Sequence, residues 1–456
     1  MKLRSGLLIS GVFLAGLLIG TAATPFHRAA GQNAPADSTY QQLSLFGDIF
    51  DRVKANYVVD PPSDKLIYNA VNGMLAGLDP HSSYMNEKQY EDMQVETSGQ
   101  FGGLGLEVTE TDGLLKVISP IDGTPASRAG IKPGDIIVDI NGHSTDGINL
   151  DDAVTEMRGT PGSKISVTLK RSGVDTPVNL TLTREIIQIE DVKDRLFPVP
   201  GGNIGYIRLA SFDEKADQDI RNAISDLQKQ SGGNIHAYIL DMRDNPGGLL
   251  DQAVAVGDDF INSGEIVSTH GRHSEDDQVW YAQSGDILHG APMVVMVNQG
   301  SASAAEIVTA ALQQNQRALV LGMRTFGKGS VQTIVPIPGN GALRLTTALY
   351  YTPSGKSIQD YGVTPDVIVS DTRTPDDEFA SLRESDLLHS FQNPSGLTAP
   401  PLPSALPLPA VAKTIPNKPP VGWPALDLTK PSTDFQLQMA LKLAAGMSAG
   451  TKAASN

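Results

Sequence analysis

The chain has 456 residues, enough for roughly two to four domains with their own cores, and its 40% hydrophobic and 19% charged composition is that of a globular protein. Acidic residues outnumber basic ones, 51 against 35, which argues against a nucleic-acid partner. Cysteine is absent, which excludes disulfides, thiolate metal sites, a thiol nucleophile and a lipid-modified N-terminal cysteine.

Lys2 and Arg4 precede an uncharged run of 18 residues, Gly6 to Ala23, ending in small residues at Thr21-Ala22-Ala23. Residues 1–30 therefore read as an export signal, either cleaved after the small residues or kept as an inner-membrane anchor. Either outcome puts the rest of the chain outside the cytoplasm, in the periplasm or cell envelope. From Gln41 the pattern is amphipathic, with Leu43, Phe46, Ile49, Phe50, Val53 and Tyr57 on one helical face, and a second helix is expected from about Lys65 to Leu78. Two such helices cannot build a core alone, so this region, residues 38–97, must pack on another domain or on a second subunit. Asp79-Pro80 ends the second helix, and His81 reads as a hydrogen-bonded turn residue rather than a ligand.

Residues 98–185 resemble a PDZ domain. Gly102-Gly103-Leu104-Gly105-Leu106 is similar to the glycine-rich loop and strand that receive a peptide's terminal carboxylate. The later segments Pro125 to Asp135 and Ile136 to Gly142 match that family's helix, turn and strand. Asn149 reads as the cap of a helix whose Leu150, Val154 and Met157 share one face. The resemblance implies a peptide-binding groove with Gly103, Leu104, Gly105, Leu106, Leu150 and Val154 as contacts. An inert domain interface is the alternative.

From residue 186 to 392 strands and helices alternate, predicting a β/α core. Strands are expected at Ile204 to Leu209, Ala237 to Met242, Ile266 to Thr269, Pro292 to Val297 and Ala318 to Leu321. Helices are expected at Ala216 to Lys229, Leu249 to Asn262 and Ser303 to Gln314. Lys328 to Ile337 and Leu343 to Tyr351 read as a hairpin around Gly339-Asn340-Gly341. The apolar run Met293 to Val297 enters Asn298-Gln299-Gly300-Ser301-Ala302-Ser303 and then a helical pattern. A strand–turn–helix of this kind sets a side chain at a helix N-terminus, where unpaired N–H groups favour an oxyanion. Taken alone, the same residues read as a helix start with Ser301 or Ser303 as N-cap.

Ser303 needs a base, and the spacing of the eight histidines nominates none of them. Lys328 lies 25 positions on, between Gly327 and Gly329 at the start of a strand pattern. A lysine acts as a base only when neutral, which requires burial or a neighbouring cation. Gln332, an even number of positions further, would share a strand face with Lys328 and could hold its amine toward Ser303. At these residues the chain resembles the carboxy-terminal processing peptidases, or tail-specific proteases, whose catalytic set is Ser-Lys-Gln. The resemblance implies Ser303 as nucleophile, Lys328 as general base and Gln332 as orienting residue. It also implies an oxyanion hole from the N–H of Ala304 and of Gly247 or Gly248, in Asp244-Asn245-Pro246-Gly247-Gly248.

Leu78 to Tyr84, Tyr350 to Gln359 and Gly362 to Asp366 also match that family. Eleven of the 30 prolines fall between Pro394 and Pro431, so residues 393–432 read as a semi-extended linker, with a terminal helix in 433–456 that resembles the family's docking or dimerising helix. The fold class expected is a multidomain α/β protein: a helical region, a PDZ domain, a tail-specific protease core and a C-terminal helix. The function expected is an exported serine endopeptidase acting through an acyl-enzyme on proteins with exposed C-termini, without metal or organic cofactor. Family resemblance adds a lipoprotein adaptor and a homo-oligomer as partners. A PDZ-bearing binding protein without proteolytic activity, and a hydrolase of another acyl substrate, are the alternatives.

Overall fold

The computed structural model describes residues 36–111, 113–121, 123–148, 150–174, 176–283, 285–370, 383–397, 407–427 and 430–447. The expected export signal and the capping Asn149 lie outside them. Among the described residues no helix is long and apolar enough to cross a membrane.

Helices α1 (Ala36–Asn56) and α2 (Ser63–Ala76) lead to a short strand β1 (Ser83–Met85), and α3 (Glu87–Ser98) leads to β2 (Gln100–Gly103). Helix α3 starts with a complete capping box, in which Asn86 accepts from the Gln89 N–H and the Gln89 side chain accepts from the Asn86 N–H. Among the described residues the apolar face foreseen for α1 is largely uncovered: Leu43, Phe46 and Ile49 are all exposed.

A separate β-domain follows, with strands β3 (Leu106–Thr111), β4 (Leu114–Pro120), β5 (Ile136–Ile140), β6 (His143–Ser144), β7 (Lys164–Lys170) and β8 (Val178–Thr183) and helices α4 (Pro125–Arg128) and α5 (Leu150–Met157). Its own core gathers Leu104, Val117, Ile137, Ile140, Ala153, Met157, Val167 and Leu169. The exit strand β9 (Glu185–Gln188) pairs antiparallel with β2, so the domain hangs on a two-stranded ribbon.

The remaining elements are β10 (Val192–Val199), β11 (Gly202–Leu209), α6 (Ala216–Ser231), β12 (Ile235–Asp241), α7 (Leu250–Phe260), β13 (Glu265–Gly271), β14 (Gln278–Tyr281), β15 (Met293–Val297), α8 (Ala304–Gln314), β16 (Leu319–Gly322), β17 (Ser330–Pro336), β18 (Ala342–Tyr351), β19 (Val367–Ile368) and α9 (Phe435–Ala445). They form the expected β/α core. The central sheet has order β10-β11-β12-β15-β16-β19, parallel except for the β10–β11 pair. Its inner strands β12 and β15 are buried on both faces, which is why Ala237 to Leu240 and Met293 to Val297 read as unbroken apolar runs rather than alternating ones. Tyr238, Leu240, Val295 and Val297 face α6, α7 and α8, whereas Ala237, Ile239, Val294 and Met296 face α9.

The stretch read as a linker departs from that expectation over residues 407–427. It packs with α9 on the second face of the sheet: Ala412, Val411, Ile415 and Trp423 join that core, and Trp423 meets the Phe435 ring edge-on at 5.0 Å. The apolar side chains among its prolines supply the burial that a solvated linker lacks.

A second sheet, β1-β18-β13-β14 with β17 also on β18, stands beside the first. Here the N-terminal region touches the core, since β1 pairs antiparallel with β18 at Ser83–Arg344 and Tyr84–Leu343.

Candidate active site

Strand β15 ends at Val297 and the chain turns at once into α8. Ser301 is wholly buried, with Oγ donating to the Met242 carbonyl at 2.7 Å and accepting the Asn298 N–H at 3.0 Å, so its hydroxyl is structural. Ser303 is half-buried and has φ 55° and ψ −116°. The Ala305 N–H donates to the Ala302 carbonyl at 3.1 Å, closing a tight turn with Ser303 at its first central position. These are the angles of a type II′ turn, a place normally reserved for glycine and costing another residue about 1–3 kcal/mol. A strand–turn–helix strained at its serine is the geometry that presents a nucleophile.

The Asn-Pro-Gly-Gly turn after β12 lies directly against this serine. Its Asn245 donates from Nδ2 to the Leu209 carbonyl and accepts the Gly247 N–H on Oδ1, at 2.9 and 2.8 Å, while the Asn245 carbonyl accepts the Ala302 N–H at 2.9 Å. A Cβ on Gly247 would stand 2.8 Å from the Ser303 Cβ and 2.9 Å from the Ala304 nitrogen, so only glycine allows this approach. The Gly247 N–H is taken by Asn245. The Gly247 carbonyl accepts from Phe212 at 2.9 Å, and the planar trans peptide therefore turns the Gly248 N–H to the opposite side. Ala304 is the first residue of α8, so its N–H is one of the unpaired donors at the helix start.

Lys328 precedes β17 rather than lying in it. Burial lowers its amine from the usual 10.5. Glu384, Glu306 and Asp79 oppose that shift, and Arg344 adds to it. Its carbonyl accepts the Tyr350 hydroxyl. Gln332 lies in β17, opposite a register shift whose unpaired residue, Thr347, belongs to β18. Its amide nitrogen donates to Ser330 Oγ at 3.0 Å and Thr346 Oγ1 at 3.4 Å.

The group that joins these loops is one the sequence reading passed over. Glu306, fully buried in the first turn of α8, accepts the N–H of Ser303 at 2.9 Å and the N–H of Lys328 at 2.9 Å. It also accepts the Gly327 N–H at 2.8 Å and the Thr325 hydroxyl at 2.5 Å. Burial pushes its carboxyl up to about 7 against the pull of these donors. Its signal was present: a glutamate three residues after a serine has capping-box spacing.

The turn after α2 also reaches this region. Asp79, almost wholly buried, accepts Ser82 Oγ at 2.6 Å and Thr346 Oγ1 at 3.0 Å, which links it through Thr346 to Gln332. His81 is indeed hydrogen-bonded, with its N–H donating to Asp79 at 2.8 Å. Its ring partner is distant in sequence, since Nε2 lies 2.9 and 2.8 Å from the two oxygens of Glu384.

In the β-domain, the Leu104 carbonyl accepts from Ala126 and the Gly105 carbonyl from Ile121, both at 2.9 Å, which turns the N–H groups of Gly105 and Leu106 the other way. Leu150 and Val154 are half-buried along α5, whereas Met157 of the same helix is in the core. Gly103 belongs to β2 and pairs with Glu185. Among the described residues no group of histidines and acids could hold a metal ion.

Comparison with known proteins matches residues 203–369 to peptidase family S41 and residues 116–171 to the PDZ domain. The chain is 51% identical over 362 residues to a carboxy-terminal-processing protease of Bartonella bacilliformis, covering 79% of this chain and 81% of that one. It is 34% identical to the carboxy-terminal processing protease CtpA of Bacillus subtilis, covering 80% and 77%. Among solved structures it is similar to a photosystem II D1 C-terminal processing protease, at 29% identity, TM-score 0.41 and coverage of 76% and 98%.

Proposed function

Because the chain belongs to the carboxy-terminal processing proteases of peptidase family S41, serine peptidases that here carry a PDZ domain, we propose that it cuts the tails of exported proteins with a Ser303–Lys328 dyad. The PDZ groove between β3 and α5 takes the substrate's terminal carboxylate on the N–H groups of Gly105 and Leu106, with Leu106, Leu150 and Val154 against the last apolar side chain. The extended tail then reaches Ser303. Neutral Lys328 accepts the Ser303 proton as Oγ attacks the scissile carbonyl carbon, and the N–H groups of Ala304 and Gly248 stabilise the oxyanion. The lysine ammonium passes its proton to the departing amine. Water, deprotonated by the same lysine, then hydrolyses the acyl-enzyme and restores Ser303.

One observation carries this reading: the Glu306 carboxylate accepts the backbone N–H of both Ser303 and Lys328, clamping together two loops far apart in the chain. Gln332 acts by fixing the network around the lysine through Ser330 and Thr346. Export rests on the uncharged N-terminal run. Association into a homodimer rests on the uncovered apolar face of α1, of a kind that single chains rarely leave in water.

The test is cleavage of an unfolded reporter with an apolar C-terminus by the chain from Gln32 onward. Wild type should cut, and Ser303→Ala and Lys328→Ala should not. Equal cutting by all three would remove the dyad.

A further inference from the structure

A buried carboxylate outside the Ser303–Lys328–Gln332 set is built into the loop that bears the lysine. Glu384 opens a 3-10 helix, Glu384–Asp386, and has no exposure to solvent. A carboxylate stays at such a place only when it is paired and hydrogen-bonded. His81 Nε2 meets both of its oxygens, at 2.9 and 2.8 Å, and Gln359 Nε2 donates to Oε1 at 3.1 Å. Gln359 in turn accepts the Gly329 N–H on Oε1 at 2.8 Å, and the Glu384 N–H donates to the Phe326 carbonyl at 3.4 Å. Glu384 is thus tied to both ends of the segment Phe326–Gly329.

Its charge also faces the lysine. Among the described residues, the charged groups that act on the Lys328 amine are Glu384, Arg344 of β18, Glu306 of α8 and Asp79 after α2. Glu384 itself is faced by His81, Lys328, Asp360 and Tyr350. We propose that Glu384, held by His81, is a positioning residue for the proteolytic reaction: it fixes the loop bearing Lys328 and favours the ammonium that forms when the lysine takes the Ser303 proton.

The inference rests on Lys328 being the general base. Burial alone would leave that base a weak proton acceptor, because its ammonium would have no countercharge in a dry site. A fixed carboxylate beside it stabilises the ammonium at the moment the tetrahedral intermediate forms, the service a buried aspartate gives the imidazolium of a Ser-His-Asp triad. The bond changes are those of the acyl transfer already described.

The experiment is kcat and KM against pH for the same chain and reporter, with thermal unfolding as the check on folding. Glu384→Gln keeps the shape and removes the charge. Its kcat should fall about ten-fold or more at near-constant KM, and the acid limb of kcat/KM should move down by about one pH unit, since loss of a nearby carboxylate frees the lysine's proton. Glu384→Asp, which keeps the charge, should leave the limb at its wild-type position. His81→Ala removes the partner that shares the carboxylate's charge and should move the limb up, a sign that loosened packing does not give, and this variant decides the matter if Glu384→Gln does not fold. A limb that stays in place in both Glu384→Gln and His81→Ala overturns the proposal, as does a limb that moves equally in Glu384→Asp and Glu384→Gln. Lys328→Ala cutting at the wild-type rate would overturn the underlying dyad instead.

Discussion

Glu306 is the residue whose removal should separate positioning from chemistry. Glu306→Ala leaves the N–H groups of Ser303, Gly327 and Lys328 and the Thr325 hydroxyl without their acceptor. It should cost about 3 kcal/mol or more in denaturant unfolding, and kcat should drop about 100-fold because both loops shift. The same group gives a stability signature. Its folded carboxyl sits at about 7 against an ordinary 4.5, so the native state binds the proton more tightly than the unfolded chain does. Its contribution is therefore fully present below about pH 4.5 and is lost as pH rises through 7. Glu306→Gln should flatten the fall in unfolding free energy over that window. An unchanged slope would mean that the carboxyl does not titrate there. Lys328 shifts the other way, below 10.5, so kcat/KM should rise with pH and level off short of the range of a free lysine.

At the scale of elements, the hairpin of β17 and β18 holds one side of the site and the strand–turn–helix at β15 and α8 holds the other. Within that hairpin the Gln332 side chain reaches Ser330 of its own strand and Thr346 of β18. In the PDZ domain, Val154→Asp on α5 places a charge against the apolar groove. It should raise KM about ten-fold or more for tail-bearing substrates with little change in kcat, measured on reporters that differ only in their last residue. Helix α9 is the cover of the central sheet. Phe435 is buried and meets Trp423 edge-on, so Phe435→Ala should cost about 3–5 kcal/mol in chemical denaturation, whereas a linker-and-tail role would leave stability unchanged.

Over the whole molecule, the C-terminal segment and the catalytic sheet are joined by an ionic network. Asp241 is fully buried at the end of β12; burial would raise its carboxyl, but the Arg243 guanidinium holds it below the usual range. Arg243 reaches on to Asp434, the cap of α9, at 2.7 Å. In the N-terminal region, the apolar face of α1 is uncovered among the described residues. With the proposed homodimer formed through this face, Phe46→Glu should shift the mass measured by light scattering to a smaller species, and an unchanged mass would overturn that proposal. The sequence by itself determined the order of elements in the core, because period-2 and period-3.6 burial patterns and glycine turns are local properties. It also determined the family, because Gly-Ser-Ala-Ser, Lys328 and Gln332 are short local signals at a fixed spacing along the chain. The tertiary structure alone decided which distant groups converge: Glu306 between the two loops, Asp79 beside Thr346, and Glu384 between His81 and Gln359. It also decided that the Pro-rich stretch at 407–427 packs on the sheet and that Gln332 meets Thr346 across the hairpin. Buried polar groups find their partners through space, and no periodicity along the chain records a pairing made by folding.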